Sequence, residues 1–280
     1  MPDPTLLRYR KWEKKHTPNL KITKGITEAH LFPLLFVPGE AWEYSAGIDW
    51  AGLMVERVNN TTLAELFKKT IWGPLGGGNN FAFHPKGTPV SEKLCDMSER
   101  SGGINPMFGI AKDPEGKVEH TENMIWNPET PGCHGGAGIY GSPKEYQLML
   151  ASICANDGKI LKKETVDEMS KPQLSAEASA SLNMKLTIPE LNQVYGGMPL
   201  GTKVDWGLGG MLNMQDIPGR RRKGSLTWGG YPNLVWFCDR VGGMSGIYGS
   251  QINPPGDAKT INLFGLWETE LYKKAGKETL

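Results

Sequence analysis

The chain has 280 residues, 39% of them hydrophobic and 22% charged, with a formal net charge of +1. That length supports one large domain or two unequal ones around a sizeable core, and that composition excludes a disordered chain. The near-neutral balance gives no global electrostatic reason to expect nucleic acid or an anionic membrane as a partner.

Residues 1–28 are polar and basic, and Leu6, Leu7, Tyr9 and Trp12 offer only a turn or two of weakly amphipathic helix. Charges stand where a secretory signal needs an unbroken apolar stretch, and no window approaches a membrane span, so a cytoplasmic protein is expected. Pro38-Gly39 reads as a tight turn, because proline presets φ at the first corner and glycine tolerates positive φ at the second. From Ile48 the apolar residues Ile48, Ala51, Gly52 and Val55 follow the i, i+3, i+4, i+7 pattern of a helix that buries that face. Tyr44 is therefore expected on a short loop held between a turn and a packed helix. Taken alone, that position suits a reactive side chain, and it suits equally an amphipathic core aromatic like Trp42 or Trp50.

Thr62 and Glu65 form a capping-box pattern, and Leu63, Leu66, Phe67 and Ile71 give the helix after it, which is expected to end at Gly73-Pro74. Residues 76–136 are rich in Gly, Pro and Asn and show no sustained period, so short strands and long loops are expected, of the kind that cover a cleft. Ser142 to Glu145 combines a capping box with proline at the first helical position, and Tyr146, Met149, Leu150 and Ile153 form the stripe of the helix that follows. Asn156-Asp157-Gly158 stops it, and Lys163 to Met169 reads as one more short helix. Residues 171–202 read as irregular. Four segments, 206–214, 225–230, 234–239 and 244–252, then read as consecutive antiparallel strands. A closing helix turns Phe264, Trp267 and Leu271 inward and pairs Glu270 with Lys274 outside. The sum is a single α+β domain over 1–280, with a mainly helical part at 38–170 and C-terminal antiparallel strands and a helix at 204–275.

Gly136, Gly138 and Gly141 match G-x-G-x-x-G, but the segment before them is a loop and no later strand ends in an acidic residue to hold a ribose, so no dinucleotide cofactor is expected. The five histidines, at 16, 30, 84, 120 and 134, show no ligand spacing, and no metal is expected. No G-x-S-x-G elbow occurs. The four cysteines, Cys95, Cys133, Cys154 and Cys238, contain no C-x-x-C pair and read as buried or idle thiols. The basic run Arg220 to Lys223 lies between Gly219 and Gly224 and reads as a solvated loop tip. Trp228-Gly229-Gly230 is more informative, since glycines inside a strand mark a bulge or a place where a ligand or another backbone comes close. A bare strand N–H there could face the oxygen of an acyl group.

Five ordered blocks, PGEAWEYSAGIDWAGLMVER, TIWGPLG, HGGAGIYGSPKEY, WGGYPNLVWFCD and GSQINPPGD, resemble the serine β-lactamase and penicillin-binding-protein superfamily. The branch they resemble holds class C β-lactamase-related esterases and fungal polyketide acyltransferases. The resemblance covers nearly the whole chain from about Leu6 to Asp257. It implies a β-lactamase/transpeptidase-like α+β fold, an antiparallel sheet packed with helices plus a helical subdomain, here truncated at the N-terminus. It also implies an acyltransferase or esterase acting on a small or polyketide-derived acyl ester in secondary metabolism, with an acyl-carrying synthase as a partner and no cofactor.

By resemblance, Tyr44 takes the position of the family's general-base tyrosine, and Trp228, Gly229 and Gly230 take the oxyanion strand. Trp42 and His134, which fall in the same matched blocks, join them as oxyanion or substrate-binding candidates. Two departures stand out. Ala46 replaces the asparagine that follows the tyrosine in true β-lactamases, which argues against β-lactam hydrolysis, and no Ser-x-x-Lys nucleophile motif occurs anywhere in the chain. A tyrosine without an acceptor serine cannot perform covalent acyl transfer. The alternative expectation is therefore a non-catalytic remnant or accessory protein, with Ser45 and Ser245 the first serines to examine if an acyl-enzyme forms. Loss of the nucleophile helix is also expected to leave apolar surface uncovered.

Overall fold

The computed structural model describes residues 8, 9, 11, 12, 15, 25–30, 33–124 and 128–278. The turn expected around Leu6 and Leu7 lies outside these residues, as does His16. The chain divides into two units, the first made of residues 1–38, 43–94 and 126–142, the second of 39–42, 95–125 and 143–280.

In the first unit, helix α1 (Ile26–His30) precedes α2 (Gly47–Asn59) and α3 (Leu63–Phe67). The Thr62 cap forms as its sequence predicts, its Oγ1 accepting the Glu65 N–H at 3.2 Å. Glu56 adds a second cap, its Oε1 accepting the Leu63 N–H at 2.7 Å. The helix does not stop at Gly73-Pro74. A π-helical segment, Lys68–Trp72, re-phases the turn, Pro74 enters at the start of a new one where its missing N–H is not needed, and Gly76 at φ 68° ends the run. A short ladder pairs Phe81 with Gly141 and Ala82 with Tyr140.

The buried face of α2 is also not the expected one. Its buried residues are Asp49 and Gly52, while Ile48 and Val55 of the apolar stripe are 53% and 37% exposed. Gly52 explains the rotation, because a Cβ there would lie 2.8 Å from Leu63 Cδ1 and 3.5 Å from the Gly135 backbone. Met54 and Val58 join Ile48 and Val55 on an exposed apolar face.

The second unit carries two sheets. Strands β1 (Met97–Arg100) and β2 (Val118–Thr121) pair antiparallel, with Ser98 opposite His120. Strands β3 (Val204–Trp206), β4 (Met211–Asn213), β5 (Leu226–Gly230), β6 (Leu234–Asp239) and β7 (Met244–Tyr248) form an antiparallel meander in that order. The segment read as one strand over 206–214 is thus a hairpin turning at 207–210. The short β8 (Ile252–Asn253) pairs parallel with β1.

Helices α4 (Pro143–Ala155) and α5 (Lys163–Met169) form where expected, and Asn156 leaves α4 at φ 49°. The stretch read as irregular contains α6 (Ala176–Leu186) and α7 (Pro189–Val194). Ser175 caps α6 by accepting the Ala178 N–H at 3.1 Å, and Ala178, Leu182 and Leu186 carry its buried face. Helix α8 (Ala258–Lys274) buries Ile261, Phe264 and Tyr272 against Val235 and Phe237 of β6. Its outer pair is Glu270 with Lys273 at 4.0 Å, not with Lys274.

Arg221, expected in a solvated tip, is fully buried. Its guanidinium pairs with Glu268 of α8 and lies 5.7 Å from the Phe237 ring centroid. Among the cysteines, Cys133 and Cys238 are buried and Cys154 is half-buried, whereas Cys95 is exposed. No helix among the described residues is long and apolar enough to cross a membrane.

Candidate functional site

Tyr44 and His134 lie in the first unit; Trp42, Trp228, Gly229 and Gly230 lie in the second. The turn predicted at Pro38-Gly39 forms, with Gly39 at φ 96°, and Tyr44 follows on an extended loop before α2. It is 57% exposed. The ring's surroundings, and after them the Asp49 carboxylate in the first turn of α2, raise the Tyr44 phenol above its ordinary value. A phenol so raised keeps its proton at neutral pH. It can donate to a leaving oxygen, and it becomes a base where a neighbouring cation lowers it again.

Asp49 organises the rest of this unit's polar centre. Its Oδ1 accepts the Gly136 N–H at 3.1 Å and stands 3.4 Å from Nδ1 of the buried His134; its Oδ2 stands 3.8 Å from Nε2 of His30. Gly136 is required here, because a Cβ would fall 2.8 Å from Asp49 Oδ2. The G-x-G pattern is thus accounted for in part by the approach of a loop to a carboxylate. Sequence spacing could not show this set, since its members come from three segments far apart in the chain. A separate cavity of about 320 Å³ is lined by Ile26, Leu53, Glu56 and Pro131 and includes neither Tyr44 nor His134.

In the second unit Trp42 and Trp228 come together. Trp228 stacks on Tyr195 with centroids 5.7 Å apart and meets Trp206 edge-on at 4.7 Å; Trp42 lies 6.4 Å from Trp228 and is buried. Gly229 faces Val235 across the ladder, and a Cβ on it would come within 3.3 Å of the Leu234 carbonyl and 3.6 Å of Gly196 Cα. This glycine admits another backbone. Gly230, at the exposed end of β5, has open space around the same position, with nothing nearer than 3.8 Å. The turn after it is fastened by Asn233, whose Nδ2 donates to the Ile252 and Pro254 carbonyls at 2.7 and 2.8 Å. Neither Asn233 nor Asp257, to which it is tied, was singled out by sequence reasoning. Asn233 at φ 61° follows a proline in a strand-connecting turn, which was the available signal.

Ser45 Oγ accepts the Gly47 N–H at 3.3 Å, and Ser245 Oγ accepts from Gln147 Nε2 at 2.8 Å. Each is engaged in a local structural bond.

Comparison with known proteins adds a lineage. A sequence model of the family described as Beta-lactamase matches residues 30–266, a span that includes all six candidate residues. The chain is 31% identical over 273 residues to lovastatin esterase of Penicillium rubens, covering 97% of this chain and 65% of that protein. It is 31% identical to monacolin J acid methylbutanoyltransferase of Aspergillus terreus, covering 89% and 58%. Simvastatin synthase from Aspergillus terreus superposes with a TM-score of 0.82 at 28% identity, over 97% of this chain and 64% of that one. The expected β-lactamase/transpeptidase-like α+β fold is thereby borne out, and the chain spans less than two thirds of the length of each of these relatives.

Proposed function

The chain belongs to the beta-lactamase family, and from that premise we propose that it is an acyltransferase or esterase of the serine acyl-transfer type, acting on a small or polyketide-derived acyl ester in secondary metabolism. The observation that carries this reading is the 31% identity to lovastatin esterase across 97% of the chain. Relatives named for statin-type acyl transfer suggest the substrate class. An acyl-carrying synthase in the cytoplasm is the donor this reading implies.

In the proposed chemistry, which needs a form of the protein that also carries a Ser-x-x-Lys segment, the serine oxygen of that segment attacks the acyl carbonyl, its proton passes to Tyr44 with the help of the lysine, and the displaced alkoxide takes a proton back. The raised phenol of Tyr44 suits the returning step. By the family resemblance, the Gly229-Gly230 end of β5, where no side chain intervenes, is the strand whose backbone N–H would meet an acyl oxyanion. Trp228, in its aromatic cluster, and Trp42 behind it give that end of the strand a stiff apolar wall for an acyl chain. His134 acts through Asp49, which sits near Tyr44 in sequence and in field.

A second reading, a non-catalytic binding or accessory protein, is favoured by one observation: no serine of the 280 residues is followed three positions later by lysine. A serine-reactive fluorophosphonate and intact-mass spectrometry separate the two. One equivalent of label on a single serine supports the catalytic reading; an unlabelled chain supports the accessory one.

A further inference from the structure

His30, Asp49 and His134 each present one ligand atom to a common space, and those atoms all lie within 4.8 Å of one another. His30 closes α1, Asp49 stands in the first turn of α2, and His134 leads into Gly135-Gly136, so three segments distant in sequence converge within one unit. The side chains of His134 and Asp49 are 2% and 9% exposed, while that of His30 is 25% exposed and leaves the cluster open on one side.

A hydrogen-bonded His–Asp–His relay is the simpler reading, and the distances weigh against it. The His134 Nδ1 to Asp49 Oδ1 separation is 3.4 Å and the His30 Nε2 to Asp49 Oδ2 separation is 3.8 Å. Both exceed the range of about 2.7–3.2 Å for an N–H···O bond. The 3.4 Å separation of His134 Nδ1 from Oδ1 matches the spacing of neighbouring ligand atoms around a tetrahedral ion with ligands about 2.0–2.1 Å away, which is about 3.4 Å, while His30 faces the other oxygen of the same carboxylate and would close by a few tenths of an ångström on an ion. Two imidazoles and one carboxylate are also a donor set that first-row divalent ions take, with room for one solvent ligand.

The surroundings fix the carboxylate as an outer shell does. The Gly136 N–H donates to Asp49 Oδ1 at 3.1 Å, and the two rings meet edge-on at 73° with centroids 5.7 Å apart, so they converge without stacking. A Cβ at Gly135 would fall 2.6 Å from the Ile48 carbonyl, so the loop reaches this depth only because residues 135 and 136 are glycine.

We propose that His30, Asp49 and His134 form a binding site for a divalent transition-metal ion of the Zn²⁺ type, clamping α1, the start of α2 and the His134 loop together. The site shares Asp49 and His134 with the groups placed beside Tyr44 in the acyl-transfer reading, but its test reads metal binding and not turnover, so the two can fail separately. The test uses the full chain, stripped with a chelator and titrated with ZnCl₂ by calorimetry, with Co²⁺ absorption as a report on coordination geometry. The expected result is one ion per chain, at least tenfold weaker binding in His30→Gln and in His134→Gln, and unchanged binding in His120→Ala. Tetrahedral Co²⁺ bands should appear in the wild type and vanish in His30→Gln. Absence of saturable binding at one equivalent, or equal affinity in His30→Gln and the wild type, overturns the site. If His134→Gln fails to fold, the partly exposed His30 variant decides.

Discussion

Asn233 and Asp257 tie the turn that follows the Gly229-Gly230 strand to the N-cap of the last helix: Asn233 Oδ1 accepts the Asp257 N–H at 3.1 Å. Through its Nδ2, the same side chain also holds the Ile252 and Pro254 carbonyls. The exposed strand end on which an oxyanion contact would depend is therefore placed by one buried amide. Asn233→Ala should cost about 1–3 kcal/mol for each buried group left unsatisfied, read by urea denaturation. If an esterase activity is present, its kcat should fall more than its KM rises, because the strand's N–H loses its placement.

Asp257 is in turn the cap of α8, accepting from the Thr260 N–H at 2.9 Å, and the buried partner of Arg100, whose Nη2 donates to Oδ1 at 2.9 Å and whose Nε donates to Oδ2. Burial alone would raise its carboxyl, but Arg100 and Thr260 outweigh that and hold it below the ordinary value. A depressed carboxyl binds fewer protons folded than unfolded. Its stabilisation is thus complete above the unfolded value of about 3.9 and is lost as pH falls through the lower, folded one. Thermal midpoints should drop steeply below about pH 4 in the wild type and less steeply in Asp257→Asn, which starts from a lower midpoint. Parallel acid limbs in the two proteins would contradict this.

Glu268 and Arg221 form a fully buried ion pair, with Nε 2.7 Å from Oε1. Removing one partner strands the other charge in the core, so Glu268→Ala should destabilise by about 3–5 kcal/mol. Replacing both, as Arg221→Met with Glu268→Leu, should recover most of that loss, because the pair's desolvation cost disappears with it. Chemical denaturation of the single and double variants checks the comparison.

How legible these features were depended on whether their cause was local. The Thr62 cap, the start of α4 at Pro143 and the strands at 226–230 and 234–239 follow from short-range capping and alternation, and they form where the residues place them. The face that α2 buries was decided instead by Gly52 lying against Leu63 and Gly135, a contact that the apolar stripe does not encode. Arg221 reads as a surface charge until α8, 47 positions later, supplies Glu268. Helix α6 was hidden because alanine and serine blur its stripe, although Ser175 gave a cap to find. Of the candidate site, Tyr44 and the Trp228-Gly229-Gly230 strand were visible through the ordered family blocks. The His30, Asp49 and His134 cluster was not, since three remote segments build it.

Tyr44 decides whether this fold carries serine-type acyl-transfer machinery. Because its side chain is 57% exposed, Tyr44→Phe should leave the thermal midpoint nearly unchanged, so a change in rate can be assigned to the hydroxyl. The direct measurement is kcat/KM for an activated acyl ester in the wild type and in Tyr44→Phe. Turnover should be measurable and fall by a factor of about 10² to 10⁴ on loss of the hydroxyl; equal rates in the two proteins, or no turnover in either, would overturn the role given to Tyr44.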